Sequence, residues 1–275
     1  MFDVSSREEG SPRGRRERRD GEGRVAFVTG AGSGLGRAIA LRLASDGFAL
    51  AVTDIDRERG AKVEAEIEAS GGRASFLECD VGDDGSVGAA RDGAVELFGG
   101  IDCLVNNAGF DRPDFFLQTD PGSWEPLIRV NLFGVLNCTH ALAPVIAERC
   151  RASGYGRIVS IASDAGRVGS LGEAVYSAAK GGVIAFTKSM ARELARDRVT
   201  VNAVCPGPAD TPMTEAISST ELGRKMMERM VAATPLRRLG DPDEVAAAVA
   251  YLAGDEAGFI TGQALSVSGG LTMAD

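Results

Sequence analysis

Arg24-Val-Ala-Phe-Val-Thr-Gly-Ala-Gly-Ser-Gly-Leu-Gly-Arg-Ala-Ile-Ala-Leu-Arg-Leu-Ala-Ser-Asp-Gly-Phe-Ala-Leu-Ala-Val-Thr-Asp54 is the stretch on which the fold turns. Its first six residues are short, apolar and β-rich, as a strand buried on both faces of a parallel sheet should be. A glycine-rich turn, Gly30 to Gly36, follows. An amphipathic helical stretch over 37–45 comes next, then a second apolar run over 48–53 that ends on Asp54. Glycines between strand and helix let the backbone approach a pyrophosphate, and the helix N-terminus adds unpaired N–H groups and a positive dipole end. A glycine-rich turn alone is a common loop. Strand, turn, helix, strand and terminal acid in that order are what a dinucleotide site requires. An acid at the end of the second strand can accept both ribose hydroxyls and repels a 2′-phosphate, so Asp54 favours NAD over NADP. Arg57, three residues later, pulls the other way.

The alternation continues with a helix over 59–70, a strand over 74–79, a helix over 83–98 and a strand over 101–105. The last of these ends in Asn106-Asn107-Ala108-Gly109. Asp80 and Val81 follow the third strand, at the carboxyl edge where open α/β sheets bind ligands. Strands alternating with helices of this length imply a doubly wound, Rossmann-type parallel sheet with right-handed crossovers and helices on both faces.

At 275 residues and 44% hydrophobic content, the chain can bury one sizeable core and fits a single α/β domain over 24–275. A net charge of -9 and a pI near 4.9 argue against nucleic acid and membrane surfaces as partners. No apolar run is expected to reach transmembrane length. Cys79, Cys103, Cys138, Cys150 and Cys205 are odd in number and lack ligand spacing. They read as reduced thiols of a cytoplasmic protein, with no metal site. Residues 1–23 are Arg-rich with nearly balancing acids and almost nothing to bury, so they read as a disordered tail.

The second chemical signal is Tyr176 and Lys180, four apart in a segment that reads as the first turns of a helix. That spacing stacks both side chains on one face. A free phenol is roughly a thousandth ionised at pH 7, and a cation held beside it favours the phenolate. A tyrosine can so become an acid/base near neutrality. Ser163 ends an apolar run over 157–162 and can place a hydroxyl near the same point to orient a carbonyl or alcohol oxygen. By themselves, a Tyr and a Lys at helical spacing are commonly a solvated surface pair.

Together these segments resemble the short-chain dehydrogenase/reductase family over essentially all of 24–275. The matching elements are Thr29-Gly30-x-x-x-Gly34-x-Gly36, Asn106-Asn107-Ala108-Gly109, Asn131, Ser163, Tyr176-x-x-x-Lys180 and Pro206-Gly207. The resemblance implies a sheet of about seven strands and a nicotinamide cofactor. It makes Tyr176 the acid/base and Ser163 the residue that holds the substrate oxygen. Lys180 would bind the nicotinamide ribose and depress the tyrosine pKa, and Asn131 would hold a water in a proton relay. Gly30, Ser33, Gly34, Leu35 and Gly36 would line the pyrophosphate, Asp54 the adenosine ribose, and Asp80 and Val81 the adenine. Asn107 and Gly109 would lie beneath the ribose, and Pro206, Gly207 and Thr211 would border the nicotinamide. A homotetramer through the long helices at 123–150 and 173–196 is implied as well.

Within the family, the loops at 106–111, 161–176, 205–211 and 258–273 resemble those of dehydrogenases acting on ring β-hydroxyacyl-CoA thioesters. The resemblance implies an NAD-dependent secondary-alcohol dehydrogenase, with a 3-oxoacyl-carrier-protein reductase or other ketone reductase as the alternative reading. A non-catalytic dinucleotide-binding regulator is the remote one, because such proteins commonly lose the tyrosine or lysine that this chain keeps. Residues 213–238 read as a mobile lid. Its Arg224, Lys225, Arg229, Arg237 and Arg238 could meet coenzyme A phosphates or form a solvated face. Asp164 and Arg167 could touch substrate or pair with each other, and Phe110 and Asp111 could line the pocket. Glu173 reads as a helix cap, and His140 as a surface residue.

Overall fold

The computed structural model describes residue 21 and residues 23–273. Most of the Arg-rich tail, whose disorder is expected from composition, lies outside them. Seven strands form one sheet: β1 (Val25–Thr29), β2 (Ala49–Asp54), β3 (Ala74–Glu78), β4 (Cys103–Asn106), β5 (Arg157–Ile161), β6 (Thr200–Pro206) and β7 (Ala264–Val267). Their order is β3-β2-β1-β4-β5-β6-β7, and every pairing is parallel. All residues of β1, β4, β5 and β6 are buried, which is why the first of these reads as an unbroken apolar run.

Ten α-helices connect or cap the strands. They are α1 (Gly34–Ser45), α2 (Arg57–Ala69), α3 (Asp84–Phe98), α4 (Trp124–Ile128), α5 (Gly134–Ser153), α6 (Ala165–Val168), α7 (Ala174–Glu193), α8 (Pro212–Ser218), α9 (Glu221–Ala233) and α10 (Pro242–Ala253). Apolar side chains of α1, α2 and α10, such as Ile39, Leu43, Ile67 and Val249, pack on one face of the sheet. Those of α3, α5 and α7, such as Val87, Leu142, Ile146 and Ala191, pack on the other.

The chain leaves β1 for β2 on one side and enters β4 on the other, so the strand order reverses between β1 and β4. A crevice opens there at the carboxyl edge, where ligands bind in sheets of this kind. The glycine turn, Asp54, Asp80, Asn107, Ser163 and Pro206 all lie at or just beyond strand carboxyl ends.

One expectation is corrected. The continuous helical run Pro121–Ser153 is long and apolar enough to cross a membrane. Its apolar residues are spent inside the molecule: Leu142, Ile146 and Cys150 are fully buried in the core.

Candidate active site

A cavity of about 800 Å³ runs along the carboxyl edge of the sheet. Gly30, Ser33, Gly34, Leu35, Gly36 and Asp54 line one end, and Asp80, Val81, Asn107 and Gly109 its middle. Ser163, Tyr176, Lys180, Pro206, Gly207 and Thr211 line the rest. At the glycine end, a side chain on Gly36 would run into the Gly30 carbonyl and the Asn107 amide. Gly30 takes a left-handed φ of 60° and lies against the Ala108 backbone; both glycines keep this backbone thin enough for a phosphate to approach. Asp54 is fixed by accepting the Gly32 N–H at 2.8 Å and the Asp56 N–H at 2.9 Å. Arg57, which weighed against an NAD reading, pairs with Glu78 at 3.0 Å on the surface. Arg59 is the basic residue that shares the cavity wall with Asp54.

The Asn106–Gly109 turn serves as scaffold too. The Asn107 amide donates to the carbonyls of Thr29 at 2.9 Å and Gly30 at 3.1 Å. The Thr29 hydroxyl in turn accepts the N–H groups of Asn107 and Ala108 at 2.9 and 3.0 Å. The end of β4 is so locked to the glycine turn after β1.

At the far end, Tyr176 and Lys180 stand in the first turns of α7, facing β5. Ser163 and Tyr176 are hydrogen-bonded to each other. Lys180 is buried, donates to the Ile161 carbonyl at 2.8 Å and sits 5.6 Å from the Tyr176 ring centre. Burial draws its ammonium down from 10.5 to about 8. The phenol is not lowered as the sequence led us to expect. Burial, then the negative charges of Asp111 and Glu173, push Tyr176 above its ordinary value, and the Ser163 hydrogen bond opposes them.

Asn131 does not line the cavity; it is fully buried in a π-helical turn, Arg129–Phe133, between α4 and α5. Its amide donates to the carbonyls of Phe110 at 2.8 Å and Leu127 at 3.0 Å, which consumes a backbone acceptor and opens the turn. Its Oδ1 accepts nothing among the described residues. A point just above Gly109 lies 2.6 Å from that oxygen and 3.4 Å from Lys180 Nζ, so both atoms border one gap.

A cavity with a phosphate-ready turn and ribose-ready acid at one end, and a Ser–Tyr–Lys cluster at the other, is built for hydride chemistry on a carbon–oxygen bond. A family model described as enoyl-(acyl carrier protein) reductase matches residues 30–272. The chain is 38% identical over 252 residues to the (2S)-((R)-hydroxy(phenyl)methyl)succinyl-CoA dehydrogenase subunit BbsD of Thauera aromatica, covering 92% of this chain and 98% of that one. It is 41% identical over 249 residues to the 3-oxoacyl-acyl-carrier-protein reductase FabG of Staphylococcus aureus, covering 90% and 98%. Nodulation protein G of Azospirillum brasilense gives the same identity over the same length.

The chain belongs to the short-chain dehydrogenase/reductase family. It is an oxidoreductase of the kind that works with a nicotinamide dinucleotide. Against that assignment, several side chains behave differently from their sequence reading. Glu173 is the residue before α7 but caps no N–H of it. It is buried, lines the cavity and is hydrogen-bonded to Asp111. Asp164 is pinned by Ser266 Oγ at 2.9 and 2.8 Å and faces Arg167 at 3.5 Å, so its carboxylate is already satisfied.

Of the lid cations, Arg224 pairs with Glu228 and Lys225 with Glu221, each at 2.6 Å, and Arg238 with Glu244 at 2.6 Å. Arg237 donates to the Ala232 carbonyl. Arg229 alone of the five lines the cavity. The apolar wall of Val168, Leu171, Met213, Met226, Met227 and Met230 went unread in the sequence. Methionines spaced for a helix face are commonly core, and nothing local says which cavity they meet.

Proposed function

We propose that the protein is an NAD-dependent oxidoreductase that interconverts a secondary alcohol and a ketone, with a β-hydroxyacyl thioester as its substrate. The observation that carries the reading is one cavity with Asp54 and the glycine turn at one end and Ser163, Tyr176 and Lys180 at the other. Gly30, Ser33, Gly34, Leu35 and Gly36 would hold the pyrophosphate at the N-terminus of α1, and Asp54 the adenosine ribose. Asp80 and Val81 would flank the adenine, Asn107, Gly109 and Lys180 the second ribose, and Pro206, Gly207 and Thr211 the nicotinamide. The chemistry that the bound dinucleotide supplies is acceptance of hydride from the carbinol carbon.

Ser163 holds the reacting oxygen while Tyr176 takes or gives its proton. Lys180 offers the nearby positive charge that a phenolate needs. Asn131 Oδ1 and Lys180 Nζ flank the gap through which that proton reaches solvent. The helices over 213–238 close the cavity as a lid, and their methionines suit a bulky apolar acyl group. Arg229 at the same wall is placed to meet a phosphate of a CoA handle. The loop resemblance extends this to a ring substrate such as 2-hydroxycyclohexanecarboxyl-CoA. Homotetramers through the outer faces of α5 and α7 belong to the same reading, and light scattering showing only a 28.6 kDa species would remove that part.

One observation favours the alternative of a 3-oxoacyl-carrier-protein reductase running toward the alcohol. A phenol held above its ordinary pKa is protonated at neutral pH, as a proton donor to a ketone must be. Initial rates in both directions decide: NAD with a cyclic β-hydroxyacyl-CoA and its free acid, NADH with the 3-oxoacyl thioester, and NADP and NADPH as controls. Turnover of the thioester with NAD supports the proposal. NADPH-only reduction of the carrier-bound substrate replaces it with the alternative.

A further inference from the structure

Asp111 and Glu173 form a feature that neither the cofactor contacts nor the proton relay uses. Asp111 lies on the loop after β4, and Glu173 immediately before α7, three residues ahead of Tyr176. Both line the cavity. Glu173 is only 7% exposed. Its Oε2 and Asp111 Oδ2 are buried and take no hydrogen bond from any N–H or O–H donor among the described residues. The other Asp111 oxygen accepts the Arg112 N–H at 2.8 Å.

The two carboxyls are hydrogen-bonded to each other. Two ionised carboxylates cannot make that bond, so one of them keeps a proton and the pair carries a single negative charge. The charged or titratable groups that face the pair come from α7, as Tyr176 and Lys180, and from β6, as Cys205 behind them. The wall opposite is apolar, with Val168, Leu171, Met226, Met227 and Met230.

We propose that Asp111 and Glu173 are specificity-determining residues: as a proton-sharing pair with one net negative charge beside Tyr176, they bar substrates with a carboxylate next to the reacting carbon and admit neutral esters and thioesters. The proposal rests on the reading of Tyr176 and Ser163 as the place where a secondary alcohol or ketone reacts. A carboxylate brought into this half-closed, largely apolar cavity meets a like charge with little water to screen it. A thioester or ester of the same acid has no charge there. Burial and the charge of Glu173 push Asp111 up to about 8, so the shared proton is retained at neutral pH.

The test uses the full chain with NADH and three probes that share one ketone: acetoacetate, ethyl acetoacetate and acetoacetyl-CoA. Wild type is compared with Asp111→Asn, Glu173→Gln and the double variant, so that a single variant that folds poorly does not decide the outcome. For wild type, kcat/KM is expected to be at least about tenfold higher for the ethyl ester than for the free acid. In the double variant that ratio is expected to shrink by about tenfold, through a gain on the free acid. An unchanged ratio in a folded double variant overturns the proposal.

A second readout needs no substrate. A carboxyl held near 8 in the folded chain but titrating near its model value of 3.8 when unfolded stabilises the fold fully below that model value, and this contribution is lost as pH rises toward 8. Wild type should therefore lose melting temperature relative to Asp111→Asn between pH 5 and pH 8. If none of the probes reacts, the functional reading fails on its own. The charge pair is then judged by the melting curves alone, and a gap that does not vary with pH overturns it.

Discussion

Lys180→Met removes a buried ammonium that the fold holds at an energetic disadvantage, and the size of that disadvantage follows from the structure. Lys180 is 3% exposed and its ammonium is drawn from 10.5 to about 8, chiefly by loss of water. At 1.36 kcal/mol per pKa unit, that is about 3 kcal/mol against the charged form. Above 10.5 the folded and unfolded chains are both neutral at this side chain, so nothing is lost. As pH falls toward 8 and below, the unfolded chain binds a proton that the folded chain binds more weakly, and stability drops.

Methionine keeps much of the volume without the charge. It also leaves the Ile161 carbonyl without the donor now at 2.8 Å, a loss of about 1–3 kcal/mol that does not depend on pH. The pH-dependent part therefore isolates the ammonium. In urea titrations of both proteins from pH 7 to pH 10, wild type should gain about 2–3 kcal/mol on the variant, while the variant is inactive throughout. A stability difference that stays constant over that range would refute the claim that Lys180 is a strained buried cation. The claim that it tunes Tyr176 through its charge would weaken with it.

Gly36→Ala places a methyl against the Gly30 carbonyl and the Asn107 amide, so dinucleotide affinity read by NADH fluorescence should fall at least about tenfold while the fold survives. Asp54→Ala should lower the preference for NAD over NADP by about tenfold or more in kcat/KM, because it removes both a ribose acceptor and a charge that repels a phosphate. Arg149→Met leaves Asp102, 2% exposed, without its bidentate partner at 2.7 and 3.0 Å. It should cost about 3 kcal/mol, seen as a fall in Tm of roughly 6–12 °C with no change in cofactor selectivity.

The first half of the molecule was legible because its signals are local. β1, the glycine turn, α1 and β2 follow one another with no tertiary partner needed to recognise them, although α1 begins at Gly34, three residues before the amphipathic stretch that announces it. Residues far apart in sequence, such as Asp54 and Lys180, were assigned to one site only through the family pattern, and the structure does line one cavity with them. β6 was not read as a strand from its residues. Its seven residues are all buried, yet Asn202 sits in the middle, and what satisfies it is remote: it donates to the Ile260 carbonyl at 2.8 Å and accepts the Gln263 N–H at 3.1 Å.

Glu173 shows the same limit at the site. An acid just ahead of a helix looks like a cap, and only the return of the loop after β4 reveals Asp111 as its partner. The lid cations were half legible. The i,i+4 spacing of Glu221 to Lys225 and Arg224 to Glu228 allows the pairs that form. Nothing in that spacing marks Arg229 as the one that turns to the cavity.

The account stands on Tyr176 as the group that moves the proton. Tyr176→Phe removes only the hydroxyl, so the comparison is turnover against dinucleotide binding in the same preparation, with rates of 3-oxoacyl thioester reduction and NADH fluorescence titration side by side. The expected result is a rate lower by at least about 100-fold with NADH binding nearly intact. A loss of less than about tenfold would contradict the assignment.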